Sequence, residues 1–330
     1  MIDKKIALTF DYEPFLYKTG NIYDTLIKPT DILLKKLAEN NLVATFFIDT
    51  LFLLRVMNDI GTKELMWKTI SSQITEMHAN GHELALHLHP HWLDAKYQDN
   101  EWDLSNINNY RIHSLTPAKL IEIIKKSIDV IHLITGKNIW DDYITYRAGG
   151  WTIQPFIDFA DIFSKFNIDI DSSVSSGLYK ELRPFNFDFR SVEKYVPYKF
   201  SEDVCVEDPN GAFLEVPITS YPYNFFMKVI SRLDKLFRRD LYLSSKSGSA
   251  IQVLNKSKLI DMTRYLRTDR IMLSIDRMNP RLFKFLLKNI KRSLLVVISH
   301  PKDYSHSSGI CLDHISYSKL ESVTLRQLRP

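Results

Sequence analysis

Groups able to do chemistry gather at a few points of this chain, each where an apolar run stops. The first is Thr9-Phe10-Asp11-Tyr12-Glu13. On an extended chain Asp11 and Glu13 point the same way, because side chains alternate. Two carboxylates on one face repel unless a cation or a proton separates them; a solvated strand end is the plainer reading. The second runs Gly81-His82-Glu83-Leu84-Ala85-Leu86-His87-Leu88-His89-Pro90-His91-Trp92 and holds four of the ten histidines. His87, His89 and His91 share a face if the chain stays extended, and His87 and His91 share one if it turns helically. Either geometry brings two imidazoles to one metal ion. The alternative, a chance cluster of surface histidines, fits poorly with the buried apolar strand before it. The third is Tyr146-Arg147-Ala148-Gly149-Gly150-Trp151. Its Arg can pair with a carboxylate, and adjacent glycines let backbone N–H groups approach a ligand; an ordinary turn into a helix reads the same way. Ile170-Asp171-Ser172-Ser173 and Val296-Val297-Ile298-Ser299-His300-Pro301 complete the set. A lone His after an apolar strand is more often structural, and His300 gains weight only from its company. Glu215, before Val216-Pro217, reads equally as a site-lining or a buried structural residue.

Elements that would position these groups alternate along the chain. Strands are predicted at 4–10, 42–48, 83–88, 143–147, 168–171, 212–216, 271–274 and 294–299. In the first, Ile6, Leu8 and Phe10 share one face and Ala7 and Thr9 the other. Leu42–Ile48 is continuously apolar, as in a strand buried on both faces. Helices are predicted at 31–39, at 64–79 with Gly81 as a stop, from Thr116-Pro117 to Gly136, and at about 154–166 with Phe156, Phe159, Phe163 and Phe166. Strand and helix in alternation argue for an α/β fold with a parallel sheet. Seven or eight strands suit a closed or nearly closed (β/α) barrel, whose chemistry sits at the C-terminal strand ends.

Taken in order, these motifs resemble those of the polysaccharide deacetylases, carbohydrate esterase family 4. Thr9-Phe10-Asp11 resembles the first motif of that family, and Ala44-Thr45-Phe46-Phe47 the strand after it. Gly81-His82-Glu83 with His87 and His91 resembles the metal motif, Arg147 the third, Asp171 the fourth, and Ile298-Ser299-His300 the fifth. The resemblance implies a distorted (β/α) barrel that removes N-acetyl groups from amino sugars with a divalent metal, usually zinc, held by one carboxylate and two histidines. It implies Asp11 as base, Glu13, His87 and His91 as metal ligands with His89 as an alternative to His91, and His300 as the acid. Arg147 would orient Asp11, and Asp171 would orient His300 or Arg147. A backbone N–H near Gly150 or Trp151 would meet the oxyanion. The chain departs from the family pattern in several places. The usual adjacent Asp pair is Asp11-Tyr12-Glu13, so the two carboxylate roles could be exchanged. Leu88 stands between the histidines, the third motif lacks its Pro, and the fourth lacks its Trp. A branch with its own acceptor is implied, and chitin or peptidoglycan polymers become poorer guesses. Related readings are a deformylase or non-sugar amidase on the same barrel, and a barrel that binds glycans without turnover.

The whole reads as a single deacetylase-like catalytic domain over 1–330, with a loop-rich segment at about 175–211 and an insertion at about 221–250. Its 330 residues are 45% hydrophobic and 25% charged, which excludes a disordered or collagen-like chain. A net charge of +4, spread along the chain, does not suggest a nucleic-acid partner. Two cysteines, Cys205 and Cys311, make no disulfide framework and suit a reducing compartment. No signal-like segment or apolar run of spanning length is present, so a cytoplasmic location is expected. Residues 221–243 mix Phe225, Phe226, Ile230, Leu233, Leu236 and Phe237 with Lys228, Arg232, Lys235, Arg238 and Arg239. This basic amphipathic helix reads either as a barrel helix with a solvated cationic face or as a surface that docks on an anionic membrane or a lipid-linked sugar diphosphate. The expected partner is an acetylated amino sugar or lipid-linked saccharide, with peripheral membrane contact through 221–243.

Overall fold

A computed structural model gives the structure, which describes residues 4–244, 248–249 and 267–329. Eight strands and eight helices organise it: β1 (Lys5–Tyr12), α1 (Lys28–Glu39), β2 (Ala44–Asp49), α2 (Thr50–Asp59), α3 (Leu65–Ala79), β3 (Glu83–Leu88), α4 (Pro117–Thr135), β4 (Ile144–Ala148), α5 (Ala160–Lys165), β5 (Ile168–Asp171), β6 (Tyr198–Phe200), β7 (Phe213–Glu215), α6 (Phe225–Phe237), α7 (Pro280–Asn289), β8 (Leu294–Ser299) and α8 (His306–Tyr317). The sheet order is β6-β7-β5-β4-β3-β2-β1-β8, with Glu321–Ser322 also paired to β1. Every pairing is parallel except β6 with β7. The two edges of this curled sheet meet through single bonds: Thr219 N donates to Val296 O (3.0 Å), Leu273 N to Thr219 O (2.7 Å) and Ile298 N to Leu273 O (3.0 Å). This is the nearly closed (β/α) barrel expected of the α/β pattern, distorted as the resemblance implies.

Side-chain alternation builds two layers from one set of strands. Ile6, Leu8, Phe10, Phe46, Ile48, Leu84, Leu86 and Tyr146 pack outward under the helices. Ala7, Phe47, Ala85, Ile170, Val216, Val296 and Leu325 fill the inside. Ala7 and Ala85 are small, and that leaves room for Phe47 and for Arg147, whose guanidinium lies 4.0 Å from the Phe47 ring centroid. The inward positions continue upward as Asp11, Asp49, His87 and Arg147. Register sets their height: Asp49 pairs with His87, His87 with Arg147, and Tyr146 with Asp171.

Helix ends follow local chemistry. Thr116 caps α4 by accepting from Lys119 N, and Gly136 closes it in the left-handed region (φ 65). Four expectations differ from the structure. The helix predicted at 154–166 is a 3₁₀ turn at Phe156–Asp158 followed by α5, because Phe159 leaves helical geometry (φ −137, ψ 8) as its ring packs with Phe156 and Phe163. The 271–274 run forms Asp269–Met272, which pairs antiparallel with Ser220–Tyr223 outside the main sheet. The segment 175–211 contains β6 and a small hairpin of Tyr179–Lys180 with Phe187–Asp188. Finally, α6 turns most of its apolar residues, Phe225, Phe226, Ile230, Leu233, Leu236 and Phe237, outward along with cationic ones. Residues 245–247 and 250 of the anticipated insertion lie outside the described residues.

Candidate active site

Glu13, His87 and His89 converge at the C-terminal mouth of the barrel, and all three are buried. Glu13 Oε2 lies 3.1 Å from His87 Nε2 and 2.7 Å from His89 Nε2, and the two nitrogens are 3.1 Å apart. His87 Nδ1 is 2.7 Å from the Arg147 carbonyl oxygen, which can only accept. The proton is therefore on Nδ1, and Nε2 offers its lone pair toward the cluster. Lys302 Nζ donates to the other Glu13 oxygen, Oε1, and to Pro14 O. Burial alone would raise the Glu13 pKa, but Lys302 and the two histidines hold it well below the usual carboxylate range. An ionised carboxylate oxygen and two imidazole nitrogens form a donor set that fits a divalent cation, and Lys302 leaves Oε2 to the histidine side.

The chain runs extended only as far as His89. Pro90 then opens a 3₁₀ turn over Pro90–Asp94. His91 thereby leaves the face shared by His87 and His89 and stacks on Tyr110, with centroids 5.3 Å apart. Burial lowers its pKa to about 3, so it is a neutral packing group there. The structure thus groups His89, not His91, with Glu13 and His87.

Beside the cluster stands a second pair. Arg147 Nη1 donates to Asp11 Oδ1 (2.6 Å), Nη2 to Thr9 Oγ1 (3.0 Å) and Ser172 Oγ (3.2 Å), and Nε to Ser172 O (2.8 Å). Arg147 therefore fixes Asp11 with its side chain and His87 with its carbonyl. Opposite, His300 Nε2 lies 3.6 Å from Asp11 Oδ2 and 3.9 Å from Glu13 Oε1. Its side chain is 18% exposed, against 5% or less for Asp11 and Glu13, so His300 stands on the open side.

Asp276, which the motif reading missed, holds His300. Its Oδ2 is 2.8 Å from His300 Nδ1, and its Oδ1 accepts from the His300 backbone N (3.0 Å). Burial would lower the imidazole pKa, yet the Asp276 carboxylate pushes it up to about 9. Asp171 does not reach His300: it accepts from Ser173 N (3.0 Å) and Ser173 Oγ (2.8 Å) and lies beside Glu215. β5, which carries Asp171, is separated from β8, which leads to His300, by β4, β3, β2 and β1 along the sheet. Burial and then the Asp171 charge raise Glu215 well above the usual range, so Glu215 is a protonated structural partner. Asp276 had a usable signal, since it ends the apolar run 271–275. Lys302 had none, because its reach depends on the turn at Pro301–Asp303. Asp49 was also missed: it ends β2, accepts from Trp92 Nε1 (2.7 Å), and burial pushes its pKa up to about 6.

Gly149, Gly150 and Trp151 form a tight turn against the cluster. Gly150 and Trp151 are left-handed (φ 59 and φ 60). A Cβ on Gly150 would lie 2.2 Å from Tyr110 Oη, and one on Gly149 2.5 Å from Leu88 O and 2.7 Å from His89 Nδ1. Gly149→Ala should push His89 off the cluster and weaken zinc binding about 10- to 100-fold in a chelator competition. Undiminished affinity in both Gly149→Ala and His89→Ala would remove His89 from the ligand set.

Residues 1–154 match the family model described as polysaccharide deacetylase. A search of solved structures finds a candidate polysaccharide deacetylase from Mycobacterium smegmatis at 14% identity and TM-score 0.52, covering 99% of this chain and 88% of that one. A peptidoglycan deacetylase from Bacillus subtilis aligns at 13% identity and TM-score 0.43, covering 99% and 90%. A carbohydrate esterase family 4 pseudoenzyme from Bacillus anthracis aligns at 10% identity and TM-score 0.44, covering 99% and 66%. No curated protein matches. The fold is that of the polysaccharide deacetylases.

Proposed function

We propose that this protein is a metal-dependent hydrolase that removes N-acetyl groups from an amino sugar, in the cytosol, during synthesis of a cell-surface polysaccharide or glycolipid. The observation that carries the reading is that three different tools meet at the C-terminal strand ends: the Glu13-His87-His89 donors, the Asp11–Arg147 pair and the His300–Asp276 pair. Glu13 Oε2 and the two Nε2 atoms would hold a divalent cation, for which zinc suits the nitrogen-rich set. When bound, it polarises the amide carbonyl and makes water more acidic. Asp11, oriented by Arg147, accepts the proton of the attacking water. The water oxygen bonds to the carbonyl carbon, and backbone N–H groups of the Gly150–Trp151 turn face the oxygen that gains charge. His300, kept protonated by Asp276, gives its proton to the amine nitrogen as the C–N bond breaks. Acetate and a free amino sugar leave. Unpaired Cys205 and Cys311 suit the reducing compartment in this reading.

The test is acetate release by zinc-loaded protein from a panel of N-acetylated hexosamines, free, nucleotide-linked and lipid-linked. Release that disappears in Asp11→Asn supports the reading. Formate release from N-formyl substrates alone would replace it with a deformylase. Glycan binding without any acyl release would replace it with a non-catalytic barrel.

A further inference from the structure

Helix α6 is built inside out. Met227 and Asp234 face the protein, where Asp234 accepts from Tyr242 Oη and Arg238. At 100° per residue, Phe225, Phe226, Val229, Ile230, Leu233, Leu236 and Phe237 fall on one arc about 140° wide, which adjoins Asp234 at its Ile230 and Phe237 end. That arc is open: Phe226 is 73% exposed, Leu236 69% and Phe237 84%, and α6 has no buried residue. Neighbouring α7 does the reverse, burying Leu282, Phe283, Leu286 and Leu287. The outward arc is therefore specific to α6 and does not reflect how helices pack on this barrel.

Along one edge of the arc runs a basic row, Arg232, Lys235 and Arg239, at the spacing of successive helical turns, with Lys228 in line but turned to its ion pair with Asp269. From Phe225 to Asp240 the chain has five basic residues and two acidic ones. The helix is held firmly in this attitude. Asn224 caps it through Met227 N (3.1 Å), and Lys228 Nζ donates to Asp269 Oδ2 (2.7 Å). Its far end leads through Tyr242 to Ser244, which accepts from Arg277, the residue after Asp276. The arc is thus tied to the rim that carries His300.

We propose that α6 is a docking helix that lays its apolar arc on an anionic lipid surface. A partner protein or second copy would need an apolar complement alone, whereas aromatic and aliphatic side chains flanked by a basic row match the acyl boundary and the anionic headgroups together.

The probe is co-flotation of the full chain with vesicles of phosphatidylcholine alone and of equal parts phosphatidylcholine and phosphatidylglycerol. Binding is expected to the anionic vesicles, weakened by high salt. It should fall by about tenfold or more in the double variant Phe226→Ser, Phe237→Ser, whose exposed positions leave the melting temperature unchanged. A separate Arg239→Glu variant should lose binding to anionic vesicles while keeping its fold. No binding by the unaltered chain, or equal binding by the Phe226→Ser, Phe237→Ser variant, overturns the proposal. So does sedimentation showing that the arc is consumed in a stable dimer.

Discussion

His300→Ala is expected to lower kcat for amide hydrolysis by about 10²- to 10⁴-fold, the usual worth of a positioned general acid. An amine is a poor leaving group unless it is protonated as the bond breaks, and His300 is the group on the open side able to do this. The same argument fixes the pH dependence. An acid with its pKa raised to about 9 is protonated at neutral pH and loses its proton as pH rises through that value. Activity should therefore fall on that alkaline limb. Asp276→Asn removes the charge that opposes burial, so the imidazole pKa must drop and the limb must move to lower pH. A merely structural role for Asp276 would lower kcat at every pH and leave the limb in place. Unchanged turnover in His300→Ala would end its role as acid.

Arg147→Met is expected to cost about 3–5 kcal/mol of stability, because it leaves a buried carboxylate without its partner. Asp11 is 3% exposed and Arg147 is fully buried, so water cannot replace the lost bonds. Adding Asp11→Asn to Arg147→Met should recover part of that stability, since no unpaired charge then remains. Neither variant should retain activity. Urea denaturation of the two single variants and the double variant measures the coupling. Additive losses would mean that Arg147 and Asp11 are not joined as the structure has them.

Much of this site could be read along the chain because strand periodicity and a barrel together fix where polar groups emerge. Asp11, His87, Arg147 and His300 each end an apolar run, and β3 has the bounds expected of it. Other parts depended on events that alternation does not encode. Whether His89 or His91 joins Glu13 turns on the chain staying extended to His89 and bending at Pro90. Asp171 and Asp276 are both acidic residues near a strand end. Which of them meets His300 is settled by segment 273–276 crossing beside β8, a long-range pairing with no local mark. Phe159 looked helical by spacing, and the aromatic cluster around Phe156 and Phe163 took precedence. The exposed arc of α6 was visible as composition, but its outward direction needed the tertiary contacts of Asp234 and Tyr242.

Glu13, His87 and His89 offer one metal site, and His91 stands outside it. Elemental analysis after zinc loading and desalting tests this most directly, on the native chain, His87→Ala and His91→Ala. About one zinc per chain is expected in the native protein and in His91→Ala, with loss in His87→Ala. No retained metal in the native chain, or loss in His91→Ala with retention in His87→Ala, would remove the Glu13-His87-His89 site.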